Sequence, residues 1–367
     1  MTKKVKLIGF ATLAVLWIAL VLGAWFGPTH DVSDSERRKL AQMPEITVDS
    51  ILNSSFMSKF EDFTLDQFPL RDTFRQLKAL VHYNVLRQGD NNDIYVVYDY
   101  AAKLEYPLNE SSVSGALEKF DHIYEKYLQG TDCTPFVTVV PDKNLYLSEI
   151  NGYPAMDYRK LFGMVESGMD WAEFVDISDL LEAGDFYRTD THWRQEHLPD
   201  VAQRLCEAME TGFFDAEELR AVAVDQPFYG VYYGQAALPM RPESMYYLQH
   251  DVIASSVVYN YETGKNTEIY DMEKLQSRDL YDIFLSGAAA LLEITNPAAA
   301  TDRELIVFRD SFGSSLIPLL IKDYATVTVV DTRYIASDLL EQYLSFDSQD
   351  VLFLYSTLIL NSSGALK

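Results

Sequence analysis

Leu305-Ile306-Val307-Phe308-Arg309-Asp310-Ser311-Phe312-Gly313 joins a continuous apolar run to a turn that carries a serine and a glycine. A run of this kind belongs to a strand covered on both faces, and the residues from Phe312 to Asp323 read as a helix. Ser311 would then stand on the strand-to-helix turn, at the carboxyl edge of an open sheet, where α/β folds bind their ligands. The N–H groups of Ser311 and Phe312 would face an oxyanion formed there. A plainer reading is also open, because Asp and Ser are favoured helix caps.

A serine hydroxyl is a weak nucleophile at neutral pH. It needs an imidazole to take its proton and a carboxylate to orient that imidazole. Asp190-Thr191-His192-Trp193 supplies both, and in an extended segment residues two apart project to the same side. The competing reading makes Thr189-Asp190-Thr191 a capping cluster before a helix at Arg194–Met209. The remaining histidines, His30, His82, His122, His197 and His250, have no such company and read as structural or solvated. A metal site of Asp190, His192 and Asp310 ranks below the serine reading, since no His-x-x-x-His or comparable cluster accompanies it.

Outward from these motifs, Phe136 to Val140, Val175 to Ser178, Thr326 to Val330 and Val351 to Tyr355 read as further strands. Helical spacing lies between several of them, which predicts an α/β layer fold with a mostly parallel sheet. Residues 213–295 crowd tyrosines among short β-prone pieces and read as a β-rich insertion, open to roles as a cleft lining or a peripheral cap. Between Ile51 and Leu86 the apolar residues Ile51, Phe56, Phe60, Phe63, Phe74, Leu77, Leu80 and Val81 recur at helical spacing about Pro69, and they read as core faces.

The chain begins with Lys3, Lys4 and Lys6, followed by an uncharged stretch from Leu7 to Gly27, long enough to cross a bilayer. Leading lysines keep that end cytoplasmic and place the rest of the chain on the far side. Leu22-Gly23-Ala24 is a poor cleavage site, so an uncleaved signal anchor is expected, with a cleaved signal peptide as the competing account. The expected organisation is a cytoplasmic tip (1–6), an anchor (7–27), a juxtamembrane linker (28–50) and an extracytoplasmic domain (51–367), in a single-pass protein of the cell membrane. The formal charge of -25 argues against nucleic acid as a partner. Cys133 and Cys206 show neither zinc spacing nor a catalytic neighbourhood.

Taken in order, Ser35-Glu36-Arg37-Arg38-Lys39-Leu40, Asp66 to Asp72, Pro141-Asp142-Lys143, Asp190 to Trp193, Phe228 to Tyr233, Arg309 to Gly313 and Asp331 to Tyr334 resemble the DHHW family and the related alginate O-acetylation proteins AlgJ and AlgX. That resemblance implies an SGNH hydrolase-like three-layer α/β/α fold, with Ser311 as nucleophile, His192 as base and then acid, and Asp190 as its orienting carboxylate. Thr191 stands where the family name has its first His, while His192 keeps the catalytic place. Ser286-Gly287-Ala288 lies where many relatives have Gly-Asn. Ala288 offers no side-chain donor, so the oxyanion hole is expected to use the amides of Ser311, Phe312 and Gly287.

Trp193, Arg309, Tyr232, Tyr233 and Arg333 are expected to contact substrate. The implied activity is transfer of an acetyl or other small acyl group to or from a cell-envelope polysaccharide, as an O-acetyltransferase or an acetylesterase, with no nucleotide or metal cofactor. A multi-spanning membrane O-acyltransferase would be the acyl donor. The alternative is a catalytically weakened glycan-binding or scaffold protein of an envelope assembly.

Overall fold

The structure is a computed structural model that describes residues 3–33, 35–215 and 217–367. It divides into two compact units, one formed by Met1–Asp93 with Tyr233–Met240, the other by Ile94–Tyr232 with Arg241–Lys367.

The second unit is built on an eight-stranded sheet. Its strands are β1 (Thr134–Val140), β2 (Glu173–Phe174), β3 (Val257–Asn260), β4 (Lys265–Glu268), β5 (Leu291–Thr295), β6 (Glu304–Arg309), β7 (Thr326–Val330) and β8 (Asp350–Ser356), in the order β4-β3-β5-β7-β6-β8-β1-β2. From β7 to β2 every pairing is parallel, whereas β5, β3 and β4 extend the sheet in antiparallel fashion. Part of the 213–295 stretch is thus a wing of the main sheet. A separate two-stranded piece, Arg220–Ala223 with Tyr246–Gln249, accounts for the rest of its paired strand.

Alternation along the central strands explains the layers. Phe136, Leu305, Val307, Val329, Leu352 and Leu354 face one core, and Val137, Val139, Ile306, Phe308, Phe353 and Tyr355 face another. The register sets Val307 beside Val329 and Leu352, and Leu352 beside Phe136. Each such side chain contributes about 1.5–3 kcal/mol by leaving water. One face is covered by Pro199–Ala208 through Val201 and Leu205, the other by Glu110–Ile123 and Tyr158–Gly168 through Phe120, Leu161 and Val165. The molecule is the mixed α/β fold with a largely parallel sheet that the sequence implies.

Three expected elements differ locally. The strand expected at Val175–Ser178 stops at Phe174, because the Asp176 carboxylate takes the Ser178 amide at 2.8 Å and bends the chain. The helix expected over Arg194–Met209 is a short 3₁₀ turn, Gln195–His197, followed by Pro199–Ala208, with the break at a proline that has no N–H to continue the ladder. The helix after Ser311 is a single α-turn, Gly313–Leu316, running into 3₁₀ geometry at Pro318.

In the first unit, α1 (Lys3–Phe26) is a 24-residue helix with no buried residue and an 18-residue window of mean hydropathy 2.4, of a length and composition that suit a membrane span or a signal sequence. It is followed by α2 (Val48–Leu52), α3 (Ser55–Asp66) and α4 (Arg71–Leu80), with Pro69 lying between the last two. Phe56, Phe60 and Phe63 are half-buried and pack on one another, but the remaining apolar residues expected as core faces are not. Ile51, Phe74, Leu77, Leu80 and Val81 are exposed, and Ala79 alone is buried on α2 to α4.

Candidate active site

β6 ends at Arg309, and the next residues are held by Asp310. One Asp310 oxygen accepts the Phe312 amide at 2.9 Å and the other accepts the Ser356 amide at 2.8 Å, so this carboxylate ties the carboxyl ends of β6 and β8 together. Gly313 follows because there is no room for a side chain. A Cβ there would lie 2.9 Å from Arg309 Cβ and 3.0 Å from Leu354 Cδ2. Ser311 is left partly exposed at the sheet edge.

His192 meets it. The Ser311 hydroxyl lies 2.8 Å from His192 Nε2, across 119 positions of sequence. On the other side of the ring, Nδ1 is 2.6 Å from Asp190 Oδ1, an oxygen that also accepts the His192 amide at 3.1 Å. A carboxylate can only accept, so Nδ1 carries the proton and Nε2 is free to accept from the serine; the partners assign this tautomer. The ring stacks on Tyr281, 3.9 Å between centroids and 9° between planes, with Phe312 packed at 5.0 Å. Burial raises the Tyr281 phenol far above its ordinary range, so it stays neutral, hydrogen-bonded to Ser315 Oγ at 2.7 Å.

Asp190 is fully buried and held from the far side. Its Oδ2 accepts the Val231 amide at 2.8 Å, and the neighbouring Gly230 amide donates to Thr189 Oγ1 at 2.8 Å. This approach needs glycine, because a Cβ on Gly230 would overlap Thr189 O and the Asp190 N and Cα. Glu243 completes the clamp by accepting the amides of Arg188 and Thr189, each at 3.0 Å, and the Thr189 hydroxyl at 3.2 Å. Beneath them Lys143 is buried and donates to Ala101 O at 2.9 Å and Tyr187 O at 2.6 Å. Burial pushes its ammonium down to about 8, against the opposing pull of Asp190, Glu243 and Asp142.

Of the residues expected at the site, Ser311, His192 and Asp190 converge in one hydrogen-bonded chain. Several others are placed differently. The Phe312 amide is committed to Asp310, and the Gly287 amide donates to Phe284 O at 3.1 Å, so neither is available as an oxyanion donor in this arrangement. Among the described residues the Ser311 amide meets no acceptor.

Trp193 is not a substrate contact, because it is fully buried and its indole N–H lies 3.1 Å from Phe312 O and 3.0 Å from Ser315 Oγ, bracing the turn from below. Arg309 is also fully buried, with Nη1 3.7 Å from Asp331 and Nη2 donating to Gly287 O at 3.3 Å. Arg333 is engaged by Asp331 through two nitrogens, at 2.8 and 2.6 Å. Tyr233 belongs to the segment that folds with the first unit. Tyr232 lines a cavity of about 730 Å³ bordered also by Lys103, Glu105, Asn109, Thr191 and Asn361. Both Asp310 oxygens accept backbone amides, so this carboxylate braces the turn.

Sequence reading missed Gly230, Val231, Glu243, Lys143 and Tyr281 as supports of the site. The Phe228–Tyr233 stretch held a signal in its glycine. A lone Glu and a lone Tyr held none.

Residues 183–330 match the family described as DHHW protein, the relation expected from the sequence. A DHHW family protein from Eubacterium siraeum is 20% identical, with a TM-score of 0.60, over 75% of this chain and 94% of that one. PatB1 of Bacillus cereus is 14% identical with a TM-score of 0.60 over 73% of this chain and 96% of that one, and its structure is also known with a sulfonyl adduct. The O-acetyltransferase domain of Pseudomonas putida AlgJ is 12% identical with a TM-score of 0.45, over 73% and 92%. No curated protein matches this chain significantly.

Proposed function

We propose, from its relation to the DHHW proteins and the geometry around Ser311, that this protein is a membrane-anchored, extracytoplasmic serine enzyme that moves an acetyl or other small acyl group to or from a cell-envelope polysaccharide. The observation that carries the reading is the unbroken chain Ser311 Oγ to His192 Nε2 to Asp190, with its hydroxyl end open to solvent and its acid end buried.

In the first half-reaction Ser311 Oγ attacks the acyl carbonyl carbon as its proton passes to His192 Nε2. The tetrahedral adduct collapses, the bond to the leaving oxygen breaks, and that oxygen takes the proton back from Nε2. The acyl group is then an ester on Ser311. In the second half the acceptor, a sugar hydroxyl or water, gives its proton to Nε2 and attacks the ester; the bond to Ser311 Oγ breaks and that oxygen takes the proton back from Nε2, which restores the free serine. Asp190 stabilises the imidazolium formed in each half without taking its proton. The Ser311 amide is the oxyanion donor that the fold leaves free. Acetyl-CoA is absent outside the cytoplasm, so the donor would be a multi-spanning membrane O-acyltransferase that hands the group across.

A second reading, a weakened glycan-binding or scaffold protein, is favoured by one observation. The amides of Phe312 and Gly287 are already engaged and Ala288 has no side-chain donor, and losing one such donor costs about 10²–10³ in turnover. A sulfonyl fluoride or fluorophosphonate probe applied to the purified protein separates the two. Labelling of Ser311 that disappears in Ser311→Ala and His192→Ala supports the enzyme. A folded wild type that never labels while still binding glycan overturns it in favour of the scaffold.

A further inference from the structure

The helix α4 is built inside out. It continues without a break through the wider turn Val81–Val85, about 22 Å of helix in all. Leu70, Phe74, Leu77, Val81 and Val85 are spaced four, three, four and four apart, which sets them in a single stripe. That stripe faces outward, with fractional exposures of 68, 43, 55, 37 and 70%. The opposite side turns inward. Ala79 is fully buried, Arg71 and Arg75 both pair with Glu36, and Arg75 also donates to Gly234 O at 2.8 Å. A helix that packs its guanidinium groups against its own unit and offers an apolar stripe to the outside needs a cover for that stripe.

The first unit indicates which cover. Pro69, immediately before the stripe, touches the last turn of α1, since a Cβ on Gly23 would lie 2.9 Å from Pro69 Cγ. Phe60 packs edge-on against Trp25 of the same turn, at 6.3 Å. When α1 spans a bilayer, its last turn lies at the water boundary, where tryptophan is favoured, and whatever touches Gly23 and Trp25 lies at that depth too. The charge agrees. Arg71 and Arg75 are held inward by Glu36, which leaves Lys78, exposed on α4, and Arg87, just past the helix, as the basic residues beside the stripe. An apolar stripe flanked by basic residues is the pattern of a helix lying in the interfacial plane.

We infer that Leu70, Phe74, Leu77, Val81 and Val85 lie in the outer interfacial layer of the bilayer crossed by α1, so that the protein holds the membrane by a surface helix as well as by its anchor. This rests on the anchor reading and is independent of the chemistry at Ser311.

The full chain in lipid nanodiscs tests it through single cysteines. Leu77→Cys is on the stripe, and Gln76→Cys is exposed on α4 away from it. A PEG-maleimide should label Leu77→Cys on the order of tenfold more slowly than Gln76→Cys, with the wild type setting the background, because the stripe is covered by lipid. A bimane on Leu77→Cys should be quenched by brominated acyl chains. Equal labelling rates overturn the inference, as does protection without bromine quenching, which would mean contact with a second copy. A bimane at Ala14→Cys in α1 separates the two premises. If it escapes quenching the anchor reading fails, and if it is quenched while Leu77→Cys is not, only the surface helix fails.

Discussion

Gly230→Ala should damage the site without touching any reacting group. The added methyl would overlap Thr189 O and the Asp190 backbone, atoms fixed by the clamp of Glu243 and by the Asp190 hydrogen bonds. Ordinary contact is restored only if the two backbones part by roughly 1 Å. That displacement stretches the 2.8 Å bonds from Val231 N to Asp190 and from Gly230 N to Thr189 beyond hydrogen-bond range.

Losing the charged bond alone costs about 1.5–3 kcal/mol, so a measurable fall in unfolding midpoint is expected. For the chemistry, a 1 Å misplacement of a positioning group costs about 100-fold, and complete loss of the orienting carboxylate sets a ceiling of about 10⁴. The assay is the second-order rate of Ser311 sulfonylation, measured by intact mass at temperatures where both proteins are folded. Gly230→Ala should react about 100-fold more slowly than wild type. Wild-type reactivity together with a wild-type midpoint would refute the claim that this glycine exists to let the Val231 amide reach Asp190.

Two more outcomes concern the supports of the same loop. Glu243→Gln replaces one accepting oxygen with an amide nitrogen that cannot accept from Arg188 or Thr189, and should lower stability by about 1.5–3 kcal/mol in denaturant titration; an unchanged midpoint would remove Glu243 from the clamp. Lys143 gives a pH signature. Its ammonium titrates at about 8 in the fold, against about 10.4 for an unfolded lysine. Between those values the unfolded chain holds a proton that the fold has released, so this residue makes stability rise with pH, by about 3 kcal/mol across the window. The difference in unfolding free energy between wild type and Lys143→Met should grow by that amount from pH 8 to 10.4, and parallel profiles would contradict the burial argument.

What the chain shows locally, it shows well. The runs at 134–140, 304–309, 326–330 and 350–356 are strands because apolar side chains on both faces can be buried only in the middle layer of a sandwich, and that pattern is written in consecutive residues. The spacing of Asp190 and His192 is likewise local: one carboxylate oxygen reaches both the amide and the ring of a residue two positions on. The apolar helix at the N-terminus needs nothing but its own composition to be seen.

The tertiary structure decided everything that depends on which element returns to which. Only the parallel pairing of β6 with β8 puts Ser356 beside Asp310, and with it commits the Phe312 amide, expected to be free, to holding the turn. Trp193 and Arg309 look like substrate contacts in sequence because large polar-tipped side chains beside a nucleophile often are. In the fold their neighbours enclose them completely. The stripe on α4 reads as core from its spacing alone, since periodicity reports that a face is apolar and not which solvent, protein or lipid, covers it. The meeting of His192 with Ser311 is of the same kind: short-range propensity shapes each turn, whereas the burial of a shared sheet brings two turns 119 residues apart to one edge.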